Sequence, residues 1–97
     1  MRLITKSRLR AFWERFPDSR EALEAWCGEA FPAKWKTPAD IKRKYGNASI
    51  VAGNRVVFNI CGNKYRLVLH VHYNTGFMYV RFIGTHSEYD KIDVTTV

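Results

Sequence analysis

The stretch from Val56 to Asp90 constrains the fold most, because it contains three consecutive apolar segments with the side-chain alternation of β-strands. In the middle segment the residues at odd positions from Tyr65 to Tyr73 are apolar or aromatic, whereas Arg66, His70 and His72 occupy even positions. Successive side chains of a strand lie on opposite faces. The pattern therefore predicts a sheet with one face suited to a core and the other suited to a basic surface.

The turn sequence Gly62-Asn63 sets the register of the first two strands. As a two-residue hairpin loop it places Asn59 opposite Arg66 and Arg55 opposite His70 on the polar face. The same register brings three apolar residues of the first strand onto the core face: Val56, Phe58 and Ile60.

The second hairpin turns around residues 74–76. Matching core faces requires Met78, Val80 and Phe82 to point toward the core. This register predicts three pairs on the polar face, namely Arg66 with Ile83, Val68 with Arg81, and His70 with Tyr79. Arg66 and Arg81 are therefore expected to emerge together on that face.

The residues before this stretch predict elements that cover the sheet. Residues 2–4 fit an edge strand, and two helices carry apolar residues at i, i+3, i+4 and i+7. We expect Thr5 or Ser7 to cap the first helix, Asp18 and Glu21 to form a capping box for the second, and Thr37 with Asp40 to do so for a short third helix. The apolar stripes are Leu9, Phe12, Trp13 and Phe16 in the first helix, and Leu23, Trp26, Cys27 and Ala30 in the second.

Composition limits the function classes. Ninety-seven residues predict a single domain, residues 1–97, and sixteen Lys and Arg against nine Asp and Glu give a formal charge of +7. A basic chain favours a phosphate-rich partner, although such a charge also serves solubility alone. The two cysteines lack metal or redox spacing, and neither a signal peptide nor a membrane span is apparent. We therefore expect a cytoplasmic protein with no membrane association.

The polar face carries the candidate binding residues. Arg66 and Arg81 have planar guanidinium groups that suit phosphate oxygens. The alternative is that both arginines are ordinary surface residues of a half-exposed sheet without a binding role. The run Lys42-Arg43-Lys44 also allows two interpretations, a phosphate contact or a solvated helix end.

A polar cluster follows the last strand, in Gly84 to Lys91. His86 can exchange a proton near neutral pH, and Tyr89 can stack on a base or bond to a phosphate. A capping histidine and an edge tyrosine are the alternatives. We expect no metal site and no cofactor, because His70 and His72 lack a third ligand and no glycine-rich phosphate loop is present.

Two segments carry a family resemblance that extends over essentially the whole chain. FN-x-x-GNKYRLV (Phe58 to Val68) and RFIGTH-x-EYDKID (Arg81 to Asp93) resemble the HigB toxins of the RelE-like superfamily, which belong to bacterial toxin–antitoxin modules. The resemblance implies an α+β fold, with N-terminal helices packed on one face of a twisted, mainly antiparallel sheet. It also implies a metal-independent mRNA interferase that cuts translated messenger RNA on the ribosome. The implied partner is a HigA antitoxin with a helix-turn-helix DNA-binding part. The toxin itself would associate with DNA only indirectly, through this antitoxin.

The resemblance also implies roles for individual residues. Arg66 matches the arginine of the middle strand, Arg81 the basic residue of the last strand, and Tyr89 the polar or aromatic residue near the C-terminus. His86 lies where some relatives have a histidine. RelE itself carries two lysines in the preceding strand, where this chain has Arg55, Val57 and Asn59, so Lys64 and His86 both remain candidates for the general base. The expected RNA-binding residues are Arg55, Asn59, Lys64, His70 and Lys91.

Two other function classes remain open on sequence grounds. A non-catalytic RNA-binding domain would have a similar helix and strand content. A structural or assembly protein is disfavoured by the basic face.

Overall fold

The computed structural model describes all residues from Met1 to Val97 and has helices N-terminal to a five-stranded sheet. The fold is α+β, as expected. Four helices are present: α1 (Lys6–Arg15), α2 (Arg20–Ala30), α3 (Pro38–Lys44) and α4 (His86–Tyr89), with a 3₁₀ turn at Pro17–Ser19. The strands are β1 (Arg2–Leu3), β2 (Ser49–Val51), β3 (Arg55–Ile60), β4 (Tyr65–His72) and β5 (Phe77–Thr85).

The sheet has the strand order β1-β5-β4-β3-β2. The short edge strand β1 pairs with β5 in parallel, and all other neighbours are antiparallel. The prediction of an edge strand at the N-terminus and of a three-stranded meander at its centre is confirmed.

The core lies between the sheet and helices α1 and α2. Leu9 and Leu23 of the helices and Leu67 and Leu69 of β4 are fully buried. Aromatic side chains join the layers, since the rings of Trp26 and Phe58 lie 5.4 Å apart in an edge-to-face arrangement. The predicted apolar stripes of both helices therefore bury against the predicted core face of the sheet.

Of the three helix caps predicted from the sequence, the structure contains one. The capping box of Thr37 and Asp40 is present at α3. The expected caps of α1 and α2 are wrong, because the side chains bind elsewhere. The Thr5 hydroxyl accepts a hydrogen bond from the Val80 backbone N–H at 2.7 Å, and the Asp18 carboxylate accepts one from the Tyr65 hydroxyl at 2.6 Å. Both side chains thus tie the helical layer to the sheet.

The β3–β4 register is confirmed, with Asn59 opposite Arg66 and Arg55 opposite His70. The Lys64 backbone N–H donates to the Cys61 carbonyl at 3.3 Å and closes the expected loop of Gly62 and Asn63, although regular strand pairing stops at Ile60 and Tyr65. The left-handed residues are Cys61 (φ 57°) and Gly62 (φ 67°).

The β4–β5 register is confirmed for half of its length. His70 lies opposite Tyr79 as predicted, but a β-bulge follows, in which Arg81 has no partner between Leu69–Val80 and Val68–Phe82. The predicted pairs Arg66–Ile83 and Val68–Arg81 are therefore wrong.

Because the bulge adds one residue, the side chains of β5 after Arg81 lie on the opposite faces of the sheet from those predicted. Arg66 lies opposite Gly84, and Val68 lies opposite Phe82. Phe82 leaves the core that the sequence pattern predicts for it, and Ile83 packs against that core instead. The end of β5 is therefore turned over relative to the prediction.

Candidate functional site

The face of the sheet turned away from the helices carries two separate groups of polar residues. We call the first the Arg66 group (Asn59, Asn63, Arg66, His86, Tyr89) and the second the Arg55 group (Arg55, His70, Arg81). Between them lie Val57 and Val68, which are 3% and 0% exposed although they do not belong to the main core cluster. The continuous basic surface expected from the sequence is therefore interrupted by a buried apolar centre.

Arg66 is buried, with 9% of its surface exposed, and it belongs to none of the ion pairs in the structure. Its Nη1 donates to the backbone carbonyls of Asn63 at 3.0 Å and Tyr65 at 3.3 Å, and its Nη2 donates to Asn63 Oδ1 at 3.1 Å. A guanidinium has five N–H donors, so at least two remain without a protein acceptor. A buried cation that is held only by neutral oxygens, with free donors, is suited to binding an anion.

Gly84 of β5 lies opposite Arg66 and leaves room for the side chains of Phe82 and Glu88. A Cβ atom at this position would lie 2.7 Å from Phe82 Cζ and 2.9 Å from Glu88 Oε1. The φ of Gly84 lies outside the left-handed region, so its backbone conformation does not require glycine. Its lack of a side chain is what allows α4 to approach the strand.

Helix α4 holds Tyr89 and His86 at this end of the sheet. Thr85 and Glu88 form a capping box, which fixes the first turn, and the hydrogen bonds from Thr85 lower the pKa of Glu88. The Tyr89 ring centre lies 6.0 Å from Arg66 Cζ. His86 lies three residues before Tyr89, so the two side chains share one face of the turn.

The His86 ring is oriented by a carboxylate. Its Nδ1 lies 3.1 Å from Asp90 Oδ2, which leaves Nε2 free. The backbone N–H of His86 donates to the Lys64 carbonyl at 3.2 Å, which ties α4 to the loop that carries Asn63. Arg66, Tyr89 and His86 are thus assembled around one loop and one helical turn.

The two arginines of the Arg55 group converge on one oxygen of Val97, the last residue of the chain. Arg55 Nε and Nη2 donate to this oxygen at 3.1 and 2.9 Å, and Arg81 Nε donates to it at 3.3 Å. Burial, His72, Arg55 and Arg81, in that order, lower the pKa of His70. The His70 ring therefore favours its neutral form at neutral pH.

The remaining predicted residues differ in their surroundings. Lys64 forms an ion pair with Asp18 on the helical side of the sheet, and this contact raises the pKa of Lys64. A lysine held in its protonated form is poorly suited to act as a base. Asn59 lies opposite Arg66, whereas Lys91 is exposed just after α4.

Two residues of the site are missed by sequence reasoning. The local pattern around Asn63 indicates only a turn residue, and nothing in it predicts that the side chain contacts Arg66. Asp90 lies four residues after His86, which is the spacing of neighbours on a helix, and this spacing could have identified it.

Other features of the surface lie apart from the two groups. A groove of about 810 Å³ runs between α1 and α2 and is lined by none of the candidate residues. No three His, Cys, Asp or Glu side chains come together as metal ligands would. None of the helices has the length and apolar character needed to cross a bilayer.

Comparison with known proteins identifies the family. The chain is 29% identical over 92 residues to the "mRNA interferase toxin HigB" of Escherichia coli (strain K12), which covers 93% of this chain and 88% of the relative. The "mRNA interferase HigB" proteins of Escherichia coli O157:H7 and Shigella flexneri match with the same identity and coverage. The family model of HigB toxins, described as the RelE-like toxic component of a toxin–antitoxin system, matches residues 19–92. The chain therefore belongs to the HigB toxin family.

Proposed function

We propose that this chain is an endoribonuclease that cleaves messenger RNA on the ribosome and is neutralised by a HigA-like helix-turn-helix antitoxin. The observation that carries the proposal is the buried Arg66, which forms no ion pair and lies beside Tyr89, with His86 on the same helical turn as Tyr89. The names of the similar proteins, mRNA interferases, support it.

RNA supplies its own nucleophile, and this defines what the protein must do. The 2′-hydroxyl oxygen attacks the adjacent phosphorus, the bond to the 5′-oxygen breaks, and a 2′,3′-cyclic phosphate forms. A base removes the 2′-hydroxyl proton and an acid protonates the leaving 5′-oxygen. Charge accumulates on the phosphate oxygens during this step and needs pre-placed donors.

Arg66 is the proposed charge-stabilising group. Its free N–H donors contact the scissile phosphate, and Asn63 fixes the plane of the guanidinium. Because the guanidinium is already held and largely buried, little reorganisation is needed during the reaction. Asn59, in the neighbouring strand, is placed to contact the same nucleotide.

His86 is the proposed proton-transfer group, and Tyr89 is the proposed stacking group. Asp90 holds His86 Nδ1, which leaves Nε2 to accept or donate the proton. The Tyr89 ring lies beside the guanidinium, where it can stack on a base and orient the chain for in-line attack. Of the two candidate bases, His86 is favoured, because Lys64 is bound to Asp18.

The partners follow from the family and the charge. A net charge of +7 favours association with the ribosome and mRNA, and a ribosomal target implies a cytoplasmic location. The antitoxin binds this toxin directly and either covers the basic face or blocks entry to the ribosome. Binding of a short RNA to the purified toxin–antitoxin complex distinguishes these two modes. If the antitoxin covers the basic face, the complex binds no RNA; if it only blocks entry to the ribosome, RNA binding is retained.

Expression without an antitoxin tests the proposal. The wild-type chain should arrest growth and produce new mRNA 5′ ends within translated regions. Arg66→Gln should lose both effects while still cosedimenting with ribosomes. Arg10→Gln, which removes an exposed cation from α1 on the helical side, is the matched control and should behave as wild type.

The outcomes discriminate between function classes. Growth arrest without mRNA cleavage, unchanged by Arg66→Gln, would show a non-catalytic RNA-binding domain. The absence of both growth arrest and mRNA cleavage in cells that express the wild-type chain would refute the proposed nuclease activity.

A further inference from the structure

Phe82 lies on the face of the sheet turned away from the helices, although the sequence pattern predicts a core residue at this position. It is the first residue after the bulge in β5, and it lies opposite Val68. Part of its surface remains exposed. The bulge therefore places a large apolar ring on the face that carries the Arg66 group, and bulges commonly re-aim side chains near functional sites.

The ring of Phe82 extends along the strand toward Arg66. Phe82 and Gly84 are two residues apart on β5 and so share one face of the sheet. A Cβ atom at Gly84 would lie 2.7 Å from Phe82 Cζ, so the ring covers the glycine. Because Gly84 lies directly opposite Arg66, the ring of Phe82 ends beside the site proposed for the scissile phosphate.

Tyr89 forms an aromatic pair with Phe82. Their ring centres lie 6.3 Å apart, and their planes are inclined by 52°. The Tyr89 ring also lies 6.0 Å from Arg66 Cζ. The two rings thus meet at an angle next to the guanidinium, and a planar group can stack on one ring while it contacts the other.

A nucleobase is the planar group that this position suits. In RNA each base is joined through its ribose to the neighbouring phosphates, so a phosphate at Arg66 brings a base close to these rings. Proteins hold unpaired bases by stacking them on aromatic side chains. A second role for the ring is to cover Val68, which is fully buried. Covering Val68 requires only an apolar side chain and not an aromatic one.

We propose that Phe82 and Tyr89 together bind one base adjacent to the scissile phosphate, and that Phe82 contributes a stacking contact to it. The inference rests on the proposed function and adds Phe82 to the residues that contact the RNA. Holding the base limits rotation of the ribose next to the phosphate, which favours in-line attack by the 2′-hydroxyl group.

Cleavage of mRNA on programmed ribosomes under single-turnover conditions tests the inference. Phe82→Leu keeps an apolar side chain over Val68 but removes the ring. The second-order rate constant of cleavage should fall about tenfold or more, as expected for the loss of one contact between a base and an aromatic ring. Phe77→Leu is the matched control, because it removes a ring from the opposite end of β5, where Phe77 lies opposite His72. It should cleave as wild type does.

An mRNA that lacks one base separates base binding from a structural role. Two mRNAs carry an abasic nucleotide, one on the 5′ side and one on the 3′ side of the scissile phosphate. The wild-type chain should cleave one of them about tenfold or more slowly than intact mRNA. On that mRNA Phe82→Leu should cause no further loss, because the ring and the base act as a pair. Thermal denaturation checks that each variant is folded.

Three results would overturn the inference. The first is a wild-type chain that cleaves both abasic mRNAs as fast as intact mRNA, a measurement that requires no variant. The second is a Phe82→Leu variant that cleaves intact mRNA like wild type, or that loses the same factor on intact and on both abasic mRNAs. In these two cases the ring only covers Val68, and the proposed function survives. The third is a wild-type chain that cleaves no mRNA, which would remove the proposed function as well.

Discussion

Gly84 lies directly opposite Arg66 in the β4–β5 pairing, on the face turned away from the helices. The pairing places the one residue type without a side chain next to the buried guanidinium. Phe82 and Glu88 close around the position, so a Cβ atom there would force both side chains to shift. The packing of Phe82 and of α4, which carries Tyr89, therefore depends on this glycine.

Replacement of Gly84 by alanine tests that dependence. The new methyl group would displace the Phe82 ring and the Glu88 carboxylate, which caps α4. We expect a loss of about 1–3 kcal/mol in the free energy of unfolding, typical of overpacking, together with a strong loss of mRNA cleavage. Chemical denaturation and a cleavage assay measure the two effects.

Gly28→Ala is the control for this experiment. Gly28 lies within α2, and a Cβ atom there would contact nothing within 4 Å. Alanine favours a helix by about 1 kcal/mol over glycine, so this variant should be more stable and equally active. Equal activity of the Gly84→Ala variant and wild type would contradict the role given to Gly84.

Arg66→Lys tests whether the site needs a guanidinium or only a positive charge. Lysine lacks the planar fork, so it cannot bind Asn63 and direct donors at the phosphate together. We expect the rate of cleavage to fall about 10²–10³-fold, the usual loss when one oxyanion donor is removed. Single-turnover cleavage on programmed ribosomes measures this effect, and a rate within about threefold of wild type would be inconsistent with the assignment.

Asn63→Asp changes the charge beside Arg66 with almost no change in shape. The new carboxylate would pair with the guanidinium, so thermal stability should rise while the affinity for RNA and the cleavage rate fall. Asn63→Ala should reduce cleavage less, because it only loosens the guanidinium. If the aspartate variant cleaved better than the alanine variant, the proposed anion site at Arg66 would be wrong.

The core face of the fold could be predicted from the sequence because local patterns agree with one another. The alternation in β4 and the apolar stripes of α1 and α2 share one buried surface, and the first hairpin keeps the predicted pairing of Asn59 with Arg66. The bulge could not be predicted. Phe82 and Ile83 are both apolar, so the pattern fits either face, and only tertiary packing against the core and against α4 decides between them.

The candidate site was predictable only in part, for a related reason. Arg66 and Tyr89 are recognisable from the strand pattern and the family resemblance, but the contact of Asn63 with Arg66 depends on the conformation of a turn. Likewise, the ion pair of Lys64 with Asp18 joins residues 46 positions apart in sequence. Contacts of this kind are set by the assembled fold.

The lowered pKa of His70 predicts a pH dependence of RNA binding. In the free protein, burial, His72, Arg55 and Arg81 disfavour the protonated ring, and Tyr79 lies opposite His70 on β5. A bound phosphate adds a negative charge and raises the pKa of His70, so binding takes up a proton. RNA affinity should therefore increase as pH falls through the interval between the bound and free pKa values of His70.

His70→Gln should remove this part of the pH dependence. The measurement is fluorescence anisotropy with a short single-stranded RNA whose 2′-hydroxyl groups are methylated. RNA affinity is measured between about pH 5 and pH 8, the range where histidine titrates. Arg10→Gln, which removes an exposed cation on the helical side, is the control and should keep the wild-type pH profile. An identical pH profile for wild type and His70→Gln would show that no phosphate binds beside His70.

In the proposed mechanism, Arg66, His86 and Tyr89 direct attack by the RNA 2′-hydroxyl group. The purified protein cuts ribosome-bound mRNA into fragments, and the chemical groups at the ends of these fragments show directly which oxygen attacks the phosphorus. Attack by the 2′-hydroxyl predicts a 2′,3′-cyclic phosphate or its 3′-phosphate hydrolysis product, a 5′-hydroxyl on the other fragment, and no cleavage where the preceding 2′-hydroxyl is methylated. Fragments with a 3′-hydroxyl and a 5′-phosphate, or cleavage that is unaffected by methylation, would contradict the mechanism.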